Sequence, residues 1–304
     1  MQKKIIIDQK ASGFKIDKAI LHYLPKLSRR AIRRSLDSGL VSINGKVERF
    51  ASKKVSVGQI ILINIREEKK TKEAIKIQEP LIVYEDSNIL AINKPPFVVS
   101  QKTVNKNTID AKSLLLSHLE EQGRNLDFKL ILCHRIDKET SGVLLFAKSQ
   151  KSCDWIMSQF KERKCKKTYE ALCQGQPIKK TWEQKNYLSP FKEKSQKVEI
   201  VNVGGKTAIT SFEVLKKNSS TGISLIEAKP LTGRSHQIRV QLSHNNLSIL
   251  GDKKYHNEKE NNKTLYDHHL LHAKTLEIKP SEVSSPIMIT AEPPSLFTKI
   301  KQKI

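Results

Sequence analysis

The segment LCHRIDKETSGVLLFAKS, residues 132–149, sets His134, Arg135, Asp137, Lys138 and Glu139 between two apolar stretches. A carboxylate held in such a place can serve as a nucleophile or a general base, provided the loop carrying it is fixed. Thr140 and Ser141 can bond the local backbone, Gly142 permits a tight return, and residues 143–146 can anchor that return in a sheet. Read locally, the same residues also suit an Asp turn closed by a surface salt bridge, which is a common arrangement. Arg135 and Asp137 do not have the pattern of a metal site.

A second candidate stretch, LTGRSHQIRV, places Arg234 and Arg239 around His236 and Gln237. Either arginine can pair with a carboxylate or sit on a phosphate. Tyr169, in KKTYEALCQG, reads on spacing as an edge-of-core tyrosine whose hydroxyl finds a partner. Two near matches lead elsewhere. VNVGGKTAIT contains a Gly-Lys-Thr, but isoleucine occupies position 200, where a phosphate loop needs its earlier glycine, so ATP hydrolysis is a poor reading. His268, His269 and His272 form HHLLH without the intervening glutamate of a zinc hydrolase, which favours surface or structural histidines.

The charge bears on the partner, although a lysine-rich composition kept for solubility would give the same excess. Lysine and arginine number 55 against 31 aspartates and glutamates, a formal net charge of +24 on 304 residues. Such an imbalance favours a polyanion, with nucleic acid ahead of a membrane because no basic amphipathic segment carries a heavy apolar face. Cys133, Cys153, Cys165 and Cys173 form no Cys-x-x-Cys pair, which suggests thiols in a reducing, cytoplasmic setting. The opening MQKKIII reaches Asp8 before any long apolar run forms, and no stretch approaches a membrane span.

The elements that must position these residues fall into two parts. The first 65 residues carry 14 Lys/Arg and 4 Asp/Glu. Ser12 can cap a short helix with Ile16, Ala19 and Ile20 on one stripe and Pro25 near its end. SRRAIRRSLDSG then predicts a second helix from about Ser28. It turns Ala31, Ile32 and Leu36 inward and Arg29, Arg30, Arg33 and Arg34 outward, and Gly39 stops it. LVSINGKV reads as a hairpin turning at Asn44-Gly45, and VSVGQIILINI as another strand. Exposed arginines on so compact a support suit phosphate contacts, and they equally suit a solvated helix face. Residues 67–79 read as a linker.

From Leu81 the pattern predicts two strands divided at residues 85–88 and ended by Pro95-Pro96, then a helix over 109–119 starting near Asn107 or Thr108. A strand through 144–146 leads to a helix over 149–163 with Cys153, Ile156, Met157 and Phe160 recurring at helical spacing. Further strands are predicted at 168–173, 197–203, 208–215 and 223–228, the second and third joined at Gly204-Gly205. Their turns argue for a mixed or antiparallel sheet rather than a repeated parallel fold. Residues 252–267 read as an exposed loop and 299–304 as a loose basic tail.

Two resemblances cover nearly the whole chain. SRRAIRRSLDSGLVSINGK resembles the small RNA-binding domain first recognised in a ribosomal small-subunit protein and present in several RNA-modifying enzymes, over roughly residues 13–65. HRIDKETSG, KKTYEALCQG, PLTGRSHQIRVQL, ILGDKKY and LLHAKTLEI occur in the order seen in the RluA class of pseudouridine synthases. That resemblance implies an α+β chain: a small helix-helix-hairpin RNA-binding domain at 1–66, a linker at 67–79, and a large mixed, mainly antiparallel-sheet catalytic domain at 80–304. It implies isomerisation of uridine to pseudouridine within structured RNA, large-subunit ribosomal RNA being the expected substrate, with no membrane and no obligate protein partner.

On the same basis the family's catalytic aspartate falls on Asp137, its active-site tyrosine on Tyr169 and its active-site arginine on Arg239. Arg135 would replace the flipped base or hold a phosphate. Arg234 would contact phosphate or support its loop, Arg239 would pair with the Asp137 carboxylate, orienting it and lowering its pKa, and His134, His236 and Gln237 would order the cleft. The reaction breaks N1–C1′ and forms C5–C1′ with no net change of atoms or electrons, so neither a metal nor a redox cofactor is demanded. Asp137 could attack C1′, attack C6 or promote an elimination, and the residues do not separate these routes. Cys133, Ile136 and Ser235 stand where the family more often has leucine, leucine and threonine, which bears on substrate preference more than on reaction class. A catalytically silent RNA-binding protein and an RNA hydrolase are the rival readings. The first would bind RNA without product and the second would shorten it.

Overall fold

The computed structural model describes residues 2–25, 27, 29–64, 81–102, 109–124, 127–192, 195–256 and 266–304. The linker expected at 67–79, Asn107 and Thr108, Ser28, residues 257–265 of the expected loop, and the side chains of Arg30, Ala31 and Arg34 lie outside the described residues. The chain divides into two compact units, Met1–Ala74 and Ile75–Ile304.

The first unit runs β1 (Gln2–Ile6), α1 (Ile16–Tyr23), α2 (Arg29–Asp37), β2 (Val41–Ile43), β3 (Lys46–Val47) and β4 (Ile60–Asn64). Its four-stranded antiparallel sheet has the order β1-β4-β2-β3. Ile16, Ala19 and Ile20 of α1 meet Ile32 and Leu36 of α2 over Ile61 and Ile63, as the helical spacing predicts. Asn44 and Gly45, both at positive φ (47° and 81°), make the tight hairpin turn. Gly39 (φ 70°) ends α2, where Leu40 N–H donates back to Ser35 O at 2.8 Å.

Two expectations fail in this unit. Ser12 does not cap α1; it lies in the preceding turn and Lys15 occupies the cap position without a side-chain bond. The opening residues, read only as a charged entry, form β1. There Ile5 and Ile7 are buried while Ile6 is exposed, a period of two that an unbroken run of isoleucines conceals.

The second unit begins with β5 (Ile82–Glu85), β6 (Ile89–Lys94), α3 (Ala111–Glu121), β7 (Ile131–Leu132), β8 (Ser141–Ala147) and α4 (Gln150–Lys161). It continues with β9 (Lys166–Gln174), β10 (Thr181–Leu188), β11 (Ile200–Val201), β12 (Lys206–Asn218), β13 (Ile223–Pro230) and α5 (Gln237–His244). It ends with β14 (Ser248–Ile249), β15 (Leu271–Ile278), β16 (Ile287–Thr290) and α6 (Ser295–Lys301). The twelve-stranded sheet follows the path β11-β10-β12-β13-β9-β15-β8-β6-β5, with β7 on β8, β14 on β9 and β16 on β15. Among its described strands β15 and β8 pair in parallel and the others antiparallel, which is the mixed, mainly antiparallel architecture expected.

Alternation sorts the core into layers on the two faces. Leu144 and Phe146 of β8, with Leu90 and Ile92 of β6, pack on α3. Val143 and Leu145, with Ile89 and Ala91, pack on α4. Because both faces of β8 are covered, the strand is buried from end to end, and each large apolar side chain contributes about 1.5–3 kcal/mol. On the other half of the sheet, Ile238 and Leu242 of α5 cover Ala171, Cys173, Phe212, Ile226 and Ala228. All four cysteines are reduced and buried. Among the described residues no helix is long and apolar enough to cross a membrane.

Several boundaries differ from expectation. Asp110 caps α3, its carboxylate accepting from Ser113 N–H at 3.2 Å. Met157, 49% exposed, lies off the buried stripe of α4 because it is adjacent to the inward-facing Ile156. Gly204-Gly205 connects two strands that do not pair with each other, since β10 lies between them. Residues 299–304 are not a loose tail: α6 buries Phe297, packs Ile300 and Ile304 on the same cluster, and its Lys301 donates to both oxygens of Glu170 at 2.9 and 2.8 Å. Lysines interleaved with that stripe hid its period.

Candidate active site

Asp137 sits in the connection between β7 and β8, and each of its neighbours is tied to a different element. His134 Nε2 accepts the Leu145 N–H at 3.1 Å, and its ring lies 5.2 Å from that of Phe160. The Ser100 hydroxyl accepts from Ile136 N–H at 3.1 Å and donates to Ile136 O at 2.7 Å. Lys94 Nζ, fully buried, donates to Pro95 O, Val98 O and Lys138 O at 2.9, 2.9 and 3.1 Å. Burial pulls its pKa down to about 7 while the Asp137 charge opposes the fall. Three carbonyls use the three hydrogens of an ammonium, one more than a neutral amine has.

Two histidines of HHLLH close the loop from beneath. His269 Nε2 meets Thr140 Oγ1 at 2.8 Å, and its Nδ1 lies 3.2 Å from Glu139 Oε2, outside hydrogen-bond alignment. His272 Nδ1 meets Ser141 Oγ at 2.9 Å and its Nε2 meets Ala291 O at 2.9 Å. The carbonyl can only accept, so Nε2 carries the proton and Nδ1 accepts from the serine. At Gly142 (φ 111°) the chain passes so close to β15 that a Cβ would collide with the Ala273 carbonyl. Among the described residues no cluster of His, Cys, Asp or Glu is arranged to hold a metal ion.

Facing this loop, α5 delivers Arg239. Its Nη1 donates to Asp137 Oδ2 at 3.0 Å, while Nε and Nη2 donate to Asp252 Oδ2 and Oδ1 at 2.7 and 2.9 Å. Asp252 also accepts from the N–H groups of Lys254 and Tyr255. The planar guanidinium is thus oriented by a bidentate pair on one edge and presents its remaining corner to Asp137. Arg239 and Asp252 are buried, whereas the Asp137 side chain is 28% exposed and so reachable from solvent.

Electrostatics follow from that geometry. Burial would raise the Asp137 pKa, but His236, Arg239 and His269, with the Arg239 hydrogen bond, hold it below the ordinary carboxylate value. The same competition takes Asp252 down to about 2. Asp137 therefore stands ionised at neutral pH. Tyr169, on β9, packs between the two halves of the core; burial first and the Asp137 charge second push its hydroxyl well above the usual range. It is a neutral phenol beside a carboxylate.

The remaining sequence candidates separate into supports and surface groups. Gln237 is a brace: its Oε1 accepts from Thr232 Oγ1 and Arg234 N–H, and its Nε2 donates to Ile209 O and Thr210 Oγ1. Arg234 donates from Nε to Thr207 O at 3.0 Å, which ties its turn to β12. His236 opens α5 in a left-handed conformation (φ 54°), with Nε2 3.8 Å from Asp137 Oδ2. Arg135 is exposed, without a side-chain partner among the described residues. In the first unit Arg29 is exposed and Arg33, 65% exposed, reaches Asp17 only at 4.0 Å.

Sequence reasoning left out Lys94, Ser100, Asp252 and Tyr255, and read His269 only as a surface or structural histidine. Asp252 and Tyr255 stand in ILGDKKY, and Lys94 stands immediately before Pro95-Pro96. Only their contacts reveal the use.

A family model described as RNA pseudouridylate synthase matches residues 88–244. Ribosomal large subunit pseudouridine synthase C of Rickettsia prowazekii (strain Madrid E) is 33% identical over 302 residues, covering 94% of this chain and 96% of its own. The protein of that name from Rickettsia bellii (strain RML369-C) is 34% identical over 301 residues, with the same coverage. Among solved structures, Human RNA Pseudouridylate Synthase Domain Containing 4 superposes with a TM-score of 0.58 at 25% identity, over 71% of this chain and 90% of that one. Human RNA Pseudouridylate Synthase Domain Containing 1 shares the fold with a TM-score of 0.59 at 24% identity, over 70% and 83%.

Proposed function

The chain belongs to the RNA pseudouridylate synthase family, and from that premise we propose that it isomerises uridine in large-subunit ribosomal RNA with the carboxylate of Asp137. The observation that carries this reading is the Asp137–Arg239–Asp252 chain, which keeps one partly exposed carboxylate ionised and aimed from a fixed loop. The names of the Rickettsia relatives and the net charge of +24 support the choice of RNA. Residues 1–66 locate the RNA through Arg29, Arg30, Arg33 and Arg34, and residues 80–304 perform the chemistry.

A uridine turned out of its helix enters the cleft with its ring against Tyr169. Arg239 occupies Asp137 Oδ2, so Oδ1 faces the nucleotide. N1–C1′ breaks, the uracil turns while held, C5 bonds to C1′, and the C5 hydrogen leaves as N1 gains one. As a neutral phenol, Tyr169 can donate or relay a proton near C5 but does not start as a base. Arg135 takes up phosphate or the vacated base position, and Arg234 holds the turn that presents α5.

Incubating the full chain with unmodified large-subunit ribosomal RNA and mapping pseudouridine chemically tests this, with Asp137→Asn as paired control. New pseudouridines from the unmodified chain and none from D137N are expected. RNA bound without product, RNA shortened, or an undiminished rate in D137N overturns the assignment.

A further inference from the structure

Tyr255 contacts both groups that face Asp137. Its hydroxyl accepts the Val198 N–H at 2.7 Å and meets His236 Nδ1 at 2.8 Å, while the Arg239 guanidinium lies 5.1 Å from its ring centroid. A phenol has one hydrogen. With Val198 already donating to the oxygen, that hydrogen is free to go to His236 Nδ1, which leaves the imidazole proton on Nε2. Nε2 is the atom that faces Asp137 Oδ2 at 3.8 Å. The opposite tautomer would aim a lone pair at the carboxylate.

We propose that Tyr255 is a positioning residue for the isomerisation: it sets the His236 tautomer so that an N–H dipole faces Asp137, and its ring seats Arg239. This rests on the reading of Asp137 as the reacting carboxylate. At 3.8 Å the imidazole acts through its dipole in the resting site, and it is within a small side-chain movement of a hydrogen bond once RNA fills the cleft. The groups facing the His236 ring are Asp137 from the loop, Arg239 from α5, Asp252, Lys254 and Tyr255 from the segment after β14, and the edge of Phe191 at 5.4 Å. Burial first, with Arg239 and Lys254, outweighs Asp137 and Asp252 and takes the His236 pKa down to about 4, so a neutral ring with a defined tautomer is what the site uses. Burial likewise pushes the Tyr255 hydroxyl up to about 12, so the phenol keeps the hydrogen it must donate.

The test uses the full chain with histidine ring nitrogens labelled with nitrogen-15, and single-turnover pseudouridine formation at saturating ribosomal RNA. The unmodified chain should show His236 protonated at Nε2 alone. Tyr255→Phe, which keeps the ring, should show a mixture of tautomers, RNA affinity within about twofold and a rate lowered about tenfold. In a His236→Gln background, whose amide donor needs no tautomer, the same Tyr255→Phe change should cost less than about threefold. A His236 protonated at Nδ1 in the unmodified chain, or a full rate in Y255F, overturns the proposal. Activity retained in D137N would instead overturn the underlying assignment, whatever the tautomer spectrum shows.

Discussion

Arg239 and Asp137 are 102 positions apart in the chain, yet Nη1 of one lies 3.0 Å from Oδ2 of the other while Asp252 holds the rest of the guanidinium. The bond joins the first turn of α5 to the loop before β8, so the relation between two elements decides whether the carboxylate is aimed.

Arg239→Lys keeps a positive charge but cannot serve two carboxylates with a planar fork. Its single-turnover rate should fall about 100-fold, with the acid limb of the pH–rate profile moved upward because Asp137 is less well held as an anion. Arg239→Ala should instead lose about 3–5 kcal/mol of stability by leaving Asp252 buried and unpaired. Stopped-flow assays and urea titration separate the two effects, and a full rate in R239K would contradict the aiming role.

Tyr169→Phe removes a hydroxyl and keeps a ring. If the hydroxyl handles a proton near C5, the rate should drop about 100-fold or more while the RNA dissociation constant changes less than about threefold. An unchanged rate would reduce Tyr169 to a stacking surface.

Gly142→Ala places a Cβ against the Ala273 carbonyl at a φ of 111°. The adjacent strands β8 and β15 must separate or the peptide must turn, at a cost of about 2 kcal/mol or more. Thermal unfolding should show the loss, and the rate should fall with it because residue 142 lies at the start of β8, directly after the Asp137 loop. A Tm equal to that of the unmodified chain would refute the close approach.

Acid should weaken the fold before the carboxylates titrate. His272, fully buried between Ser141 and Ala291, has its pKa lowered from 6.5 to about 4 by burial. Its folded pKa lies below the unfolded one, so as pH falls the unfolded chain takes the proton first. Stability is full above about pH 6.5 and is lost progressively down to about pH 4, by on the order of 3 kcal/mol. His236, also lowered to about 4, adds in the same window. Denaturant titrations at pH 7, 5.5 and 4.5 should show that decline, shallower in His272→Gln; a flat profile would exclude it.

Where a short apolar run, a helical period or a turn dipeptide stands out, the elements were legible in advance. β8, α4 and the Asn44-Gly45 hairpin fall where spacing and turn chemistry place them. β1 and α6 were missed for opposite reasons, an apolar run too uniform to show alternation and a stripe interrupted by lysines. β10, with Trp182 and the polar side chains beside it, escaped because a strand that is half exposed carries little hydrophobic signal.

What the sequence by itself determined is local and chemical: residue types, turn residues, apolar periods, a cationic excess, and motifs whose order marks a family. These follow from contacts within a few residues of each other. Only the tertiary structure decided that Arg239 is shared between Asp137 and Asp252, that Lys94 and Ser100 hold the loop, and that Tyr255 orients His236. Those bonds join residues from different strands and helices, and hydrogen bonding depends on distances of about 3 Å that no one-dimensional spacing specifies.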